Sequence, residues 1–483
     1  MTARREPLAD TDPQLYPLEP SPEQMREMVG AALDYLVGFV RGLPDAPHAT
    51  MDGALELARE LRGPAPEHGT SFDQALEVVA RAAEKGFNPA GPGYLAFIPG
   101  GGVFAAAVAD LIADTVNRFT NLWNPSPALV QLEANVVRWL CDLFDYPAEA
   151  RGILTSGGSL ANLSAIVTAR RSLLPEDFLR GTLYVSSQAH ASLRKAAVVA
   201  GFPPGNVRTV PVTPDLRMDT GALVELIAAD RHDGRQPFLV ICSAGTTNTG
   251  AIDPLTELAD VARGEGMWLH ADAAYGGPFQ MTARGRERFR GIERSDSITL
   301  DPHKAMFLPY GTGSLLVRQG EQLRAAHQVS AEYLQDLAAE EEIPNFTDYS
   351  PELSRDYRGL RVWLPVTLYG LAAFRAALDE KLDLARFLFE ALRDMPGFEV
   401  PWEPELTVVA FRYRPASGDV EEFNRRLLER INASQRIFLS STMLDGRFTL
   451  RACIVSHRTH RDRIEEAVQI IEDAARSLED ESS

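Results

Sequence analysis

The stretch 267-MWLHADAAYGG-277, with its continuation 295-SDSITLDPHKAMFLPYGTGSLLV-317, decides how the rest of the chain is read. Two short apolar runs each end abruptly in polar residues. The first delivers His270 and Asp272, and the second delivers Asp301, His303 and Lys304. A strand ending in an acid, followed by another ending in His-Lys, suits a cofactor that carries an aldehyde and a basic ring nitrogen. The lysine can form an imine, and the carboxylate can hold a pyridine nitrogen protonated.

Working outward, strands and helices alternate between positions 153 and 317. The strands read as 153-ILT, 182-TLYVSS, 208-RTVPV, 238-FLVICSA, 267-MWLHA, 297-SITL and 313-GSLLV, and helical stretches at 160–171, 192–200, 220–230 and 254–265 separate several of them. This alternation predicts an α/β fold, with a mostly parallel sheet covered on both faces and ligands at the carboxyl ends of the strands.

Upstream, residues 1–20 are rich in Pro and acid and read as an extended arm. Ser21-Pro22-Glu23-Gln24 then reads as an N-cap, a Pro at N1 and a capping-box Gln, opening a helix with one apolar stripe. Shorter helices are expected at 52–62 and 71–85, and longer ones at 103–117 and 128–144. Between them, 92-PGYLAFIPGGG-102 is apolar and Gly-rich, which lets backbone approach a ligand or another chain closely. Downstream, 319–356 is charged and aperiodic, and a long helical run begins at 357. The last hundred residues read as helix 379–393, strand 406–413, helix 420–433 and strands 437–440 and 448–455. Asp445-Gly446 marks the hairpin turn, and a final amphipathic helix follows.

The net charge, 48 basic minus 67 acidic residues, is −19, which argues against a nucleic-acid partner. Cys141, Cys242 and Cys453 are too scattered for a disulfide framework or a zinc site. His270-x-Asp272 offers two ligands on one strand face, but no further His or Cys at usual spacing, so no metal is expected. No apolar run approaches a membrane span, and the first twenty residues lack the apolar core of a signal peptide. The expected setting is cytoplasmic.

HADAAYGG followed by DSITLDPHK resembles the pyridoxal-phosphate-dependent group II amino acid decarboxylases, the family of aromatic-L-amino-acid decarboxylase. The likeness runs roughly from position 92 to 458. It implies a homodimeric fold-type I enzyme with pyridoxal 5′-phosphate as cofactor. Residues 1–91 would be a helical segment wrapping a second subunit, 92–378 a large cofactor-binding domain and 379–483 a small α+β domain. The implied reaction is decarboxylation of an aromatic L-amino acid. Alternatives are a glutamate-like substrate, or aldehyde-synthase or aminotransferase chemistry. A glutamate-like substrate predicts a cation near 100–104, and the sequence has none there.

The resemblance assigns the covalent bond to Lys304. Asp272 partners the ring nitrogen, its rival role being an N-cap for the segment beyond. Ala274 is small enough for the ring to lie against. In 155-TSGGSLAN-162, free backbone N–H groups and the Ser hydroxyl can meet a phosphate, so Gly158 and Ser159 become the phosphate cup, with His303 as a further donor. The motif is neither a Walker loop nor GxGxxG. Asp301 faces the same region, where a charged acid is unfavourable, and it is set aside. The resemblance places His190, in 186-SSQAHASLRKAA-197, against the ring and near the substrate carboxylate. Thr246, in 244-AGTTNTG-250, is expected to bond the Asp272 carboxylate or the ring hydroxyl. Pro99 and Gly100 are expected beside the substrate. Tyr333, in 331-AEYLQDL-337, is a candidate proton donor on a closing loop, its rival reading being an exposed loop aromatic. Relatives with Phe there tend to be aldehyde synthases, so Tyr333 favours plain decarboxylation.

Overall fold

The computed structural model describes residues 18–328 and 343–482, and the chain divides into two compact units, Met1–Gly91 and Pro92–Ser483. The first unit holds α1 (Pro22–Gly42), β1 (Ala49–Thr50), α2 (Ala54–Glu60), α3 (Phe72–Ala83) and β2 (Gly86–Phe87), with β1 and β2 antiparallel. The capping box is as expected. Ser21 accepts from the Gln24 backbone N–H, Gln24 Oε1 accepts from the Ser21 N–H at 2.8 Å, and Pro22 sits in the first turn. Ser71 and Gln74 repeat the device at α3. Neither helix fully buries a residue, and the apolar stripe of α1 stays open at Met25, Val29, Leu33 and Val37.

In the second unit, α4 (Phe104–Val116) and α5 (Pro127–Leu143) precede the alternating region. That region runs β3 (Arg151–Thr155), α6 (Gly158–Leu173), β4 (Gly181–Ser186), α7 (Ala191–Val199), β5 (Val207–Val210), α8 (Thr220–His232) and β6 (Gln236–Ser243). It continues α9 (Leu255–Gly264), β7 (Trp268–Asp272), α10 (Ala283–Arg288), β8 (Ser297–Leu300), β9 (Gly313–Val317) and α11 (Gly320–His327). All seven strands read from the sequence join one sheet, in the order β3-β9-β8-β7-β6-β4-β5. Strand β9 runs antiparallel to both neighbours, and the other six share one direction. Every residue of β4, β7, β8 and β9 is buried. That is why these strands read as unbroken apolar runs rather than alternating ones.

The chain closes with α12 (Arg358–Arg393), β10 (Phe398–Glu399), β11 (Val408–Tyr413), α13 (Val420–Ala433), β12 (Ser440–Leu444), β13 (Arg447–Cys453) and α14 (Arg461–Ser482). The four strands form an antiparallel sheet, β10-β11-β13-β12. They share a second core with the end of α12, α13 and α14, including Leu388, Phe411, Leu427, Leu450 and Ile471. Two expectations change here. The helices expected to start at 357 and 379 part at a kink at Gly370 rather than near 379, where a φ of 74° breaks the helical path. Strand β12 occupies 440–444 rather than 437–440, because the turn at Asp445-Gly446 pairs Leu444 directly with Arg447. Among the described residues no helix is long and apolar enough to cross a membrane.

Just past β7 the backbone is packed against the loop after β6. A Cβ on Gly276 would lie 2.0 Å from the Ala244 carbonyl oxygen. Gly276→Ala is therefore expected to cost about 1–3 kcal/mol and to lower the midpoint of denaturant unfolding. Unchanged stability would mean the two loops do not bear on each other.

Candidate active site

The parallel register sets the site. Ser243 pairs with Asp272, and Asp272 with Thr299, so β6, β7 and β8 finish side by side. Their following loops, the start of α6 and the start of α7 surround a cavity of about 370 Å³. Eight of the candidate residues line it: Gly158, Ser159, His190, Thr246, Asp272, Ala274, His303 and Lys304.

Lys304 lies in the turn after β8, its backbone N–H bonded to the Asp301 carbonyl at 2.9 Å. Its Nζ is 3.1 Å from Asp301 Oδ2. Asp301, set aside from the sequence, is therefore part of the site. It is 2% exposed, lines the cavity, and its other oxygen is buried without a hydrogen bond. The ammonium of Lys304 supplies the compensating charge that a buried carboxylate needs.

Asp272 ends β7 and is held by two donors. Oδ2 accepts from Asn162 Nδ2 at 3.2 Å, and Oδ1 from the Ala274 backbone N–H at 3.2 Å. Of the two bonds expected of Thr246, the one to the Asp272 carboxylate is not formed. Thr246 Oγ1 lies 3.0 Å from Thr249 Oγ1 inside its own turn, and the carboxylate is met from α6 instead. Behind Asn162 stands His270, fully buried, with Nε2 3.0 Å from Asn162 Oδ1 and Nδ1 2.8 Å from Ser297 Oγ. Burial pushes the His270 pKa down to about 4, so the ring is neutral at ordinary pH.

A phosphorylated cofactor fits this donor set. Gly157 caps α6 and no side chain occupies the helix start; the Leu160 N–H already donates to the Gly157 carbonyl, which leaves the Gly158 and Ser159 amides to meet an anion. Ser156 and Ser159 border the cavity beside them. A Cβ on Gly158 would lie 3.0 Å from Asp301 Oδ2 and 3.2 Å from the Ala274 Cβ, so only glycine leaves this wall open. His303 bonds the Thr312 carbonyl through Nδ1 at 2.6 Å. Burial, the largest influence, lowers its pKa. A neutral ring with Nδ1–H so engaged has no second proton, so donation to a phosphate requires the imidazolium. His190 caps α7, with Nδ1 accepting from the Ser192 backbone N–H, and its ring is exposed at the cavity.

Pro99 and Gly100 are buried and do not line this cavity. A Cβ on Gly100 would lie 2.1 Å from the His303 carbonyl oxygen, so this segment supports the lysine-bearing turn from behind. A cation does reach the glycines that follow, contrary to the local reading of 100–104. Arg458, far along the chain, bonds the Gly101 and Gly102 carbonyls. Tyr333 lies outside the described residues. Asn162 is the residue most plainly missed, although its place in GGSLAN, one turn into a helix that starts at the cavity, was a usable signal.

The comparisons agree with this geometry. Residues 56–414 match the family model described as "Pyridoxal-dependent decarboxylase conserved domain". An aromatic-L-amino-acid decarboxylase from Bacillus atrophaeus is 36% identical over 462 residues, covering 94% of this chain and 95% of that protein. Tryptophan decarboxylase 1 of Oryza sativa subsp. japonica is 29% identical, covering 93% of each. The crystal structure of Oryza sativa TDC with PLP and tryptamine superposes with a TM-score of 0.89 at 28% identity, covering 95% of this chain and 99% of that one.

The depressed His270 pKa has a pH consequence. Between its ordinary value of 6.5 and about 4, the unfolded chain binds a proton that the folded site refuses. The associated stability is full above pH 6.5 and is lost as pH falls toward 4, by about 3 kcal/mol in all. His270→Asn should flatten the pH dependence of unfolding free energy across that window. An unchanged slope would show that the ring is not buried neutral.

Proposed function

Because the chain belongs to the pyridoxal-dependent decarboxylase family, and is thus a pyridoxal-phosphate carboxy-lyase, we propose that it converts an aromatic L-amino acid of the Trp/Tyr/Phe/DOPA class to the corresponding amine and CO2. The observation that carries the site reading is the convergence of Lys304, Asp272 and the uncapped start of α6 on one cavity. The aromatic substrate is supported by the 36%-identical aromatic-L-amino-acid decarboxylase.

When bound, the cofactor supplies an aldehyde for a primary amine and a protonated ring that accepts the electrons left when CO2 departs. Lys304 would hold it covalently, and Asp272 would keep its ring nitrogen protonated. Gly158 and Ser159 would receive the phosphate, while Ala274 and His190 would flank the ring. Thr246 and His303 complete the wall. Asp301 would stand beside the lysine-bearing turn, its Oδ2 3.1 Å from Lys304 Nζ. His190 or Tyr333 would return the proton to the α-carbon.

The working assembly is a homodimer in this reading. Phe104, Leu111, Ile112 and Val116 on α4, and Leu368, Tyr369 and Leu371 beside the break in α12, are all more than 40% exposed. Apolar side chains so grouped call for a partner surface. Residues 1–91 would wrap the second copy, with 92–378 as the cofactor domain and 379–483 as the small domain.

Lys304→Ala should abolish the visible absorbance of the purified enzyme and the borohydride-reducible adduct. A retained adduct would assign the bond elsewhere. Amine and CO2 followed together against the twenty amino acids plus DOPA should rise equally for an aromatic substrate, and CO2 without amine would mean aldehyde-forming chemistry. Tyr333→Phe should divert product toward aldehyde, ammonia and peroxide, and an undiminished amine yield would remove Tyr333 from the reaction.

A further inference from the structure

The indole N–H of Trp268 donates to Ser297 Oγ at 2.8 Å, and Ser297 Oγ lies 2.8 Å from His270 Nδ1. His270 Nε2 lies 3.0 Å from Asn162 Oδ1, and Asn162 Nδ2 lies 3.2 Å from Asp272 Oδ2. We propose that these four contacts form a one-way hydrogen-bond relay, with Asn162 and His270 as positioning residues that hold the Asp272 carboxylate turned into the cavity. The proposal rests on the reading of Asp272 as partner of the cofactor's ring nitrogen.

The direction follows from the two ends. An indole N–H can only donate, and an ionised carboxylate can only accept. Asn162 must therefore turn its amide NH2 to Asp272 and its carbonyl oxygen to His270. His270 must then carry its proton on Nε2, which leaves Nδ1 as a lone pair. Ser297 answers it by donating its hydroxyl proton while accepting from Trp268. Reversing any one link would set two lone pairs or two protons against each other. The Thr299 hydroxyl, 3.4 Å from Nε2, can serve as a second acceptor without changing this order.

The surroundings keep the arrangement single. Trp268, His270, Asn162 and Ser297 are each 3% exposed or less, so water does not compete for the donors. His270, kept neutral by burial, holds one proton and one tautomer across ordinary pH. Aligned bonds in such a low-dielectric setting polarise one another, and the last link delivers a donor to the Asp272 carboxylate. Besides Asp272, the charged and titratable groups on the cavity side are Asp301, Lys304, His303, His190 and Tyr275. None of them reaches His270, which the strands and α6 enclose.

The decisive measurement is 15N imidazole NMR of His270 in the cofactor-free protein, assigned by its proximity to the Trp268 indole proton. It requires no variant. The Nε2–H tautomer is expected, and the Nδ1–H tautomer would overturn the relay. Asn162→Leu should then weaken pyridoxal 5′-phosphate binding about tenfold and lower kcat by a similar factor with KM within about twofold, as befits loss of one buried hydrogen bond to a charge. His270→Gln, whose amide can still donate to Asn162, should retain most of the affinity. Wild-type affinity in Asn162→Leu would sink the proposal. Asp272→Asn is the control. If it leaves cofactor affinity and absorbance unchanged, the reading of Asp272 falls, while the tautomer result still stands or fails by itself.

Discussion

An ionised carboxylate accepts hydrogen bonds and gives none, and burying one is costly unless donors meet it. Asp272, 8% exposed at the end of β7, places that constraint at the centre of the molecule. Helix α6 must lie where Asn162 reaches it, and the chain after β7 must turn so that the Ala274 N–H points back. That turn brings Gly276 against the Ala244 carbonyl. The same position of α6 puts the uncapped helix start at the cavity mouth, so the acid and the helix-start amides are placed by one packing arrangement.

A second buried charge braces the wall from the other side. Arg451, 3% exposed on β13, has its guanidinium bonded to the carbonyls of Phe97, Thr247 and Asn248 and to Ser440 Oγ. No carboxylate is among these partners, and burial lowers its pKa. Its charge is spread over oxygen dipoles instead, and in return it ties the 244–250 turn and the 94–99 stretch to the C-terminal sheet. The small antiparallel sheet is thus part of the cavity's frame, although only the larger sheet supplies residues to the lining.

The seven-stranded sheet was legible because strands buried on both faces are written as continuous apolar runs, and polar residues at their ends stand out. Lys304 and Asp272 were found by that contrast, the glycines of 155–162 by their place between a strand and a helix, and Ala274 through the resemblance. Side-chain partners were not legible, because they depend on elements far apart in sequence. Asn162 rather than Thr246 meets Asp272, and Arg458 reaches Gly101 across more than half the chain. Asp301 was judged against a phosphate alone, when its nearest charge is the lysine three residues on. The shift of β12 toward its turn shows the usual weakness at strand boundaries, where propensity says little and pairing decides.

Strand β3 has a single partner in the sheet, β9, and Thr155 pairs with Gly313. A ribosome adding about 5–20 residues per second makes β3 and the start of α6 long before the strand that anchors them, a delay on the order of 10–30 s. Lys304, in the turn between β8 and β9, emerges only at the end of that interval. Strand β3 therefore has no partner in the sheet during synthesis until β9 inserts. Vitamin capture is in that sense a last step of biogenesis, and the nascent chain has no complete berth for it until β9 has been made.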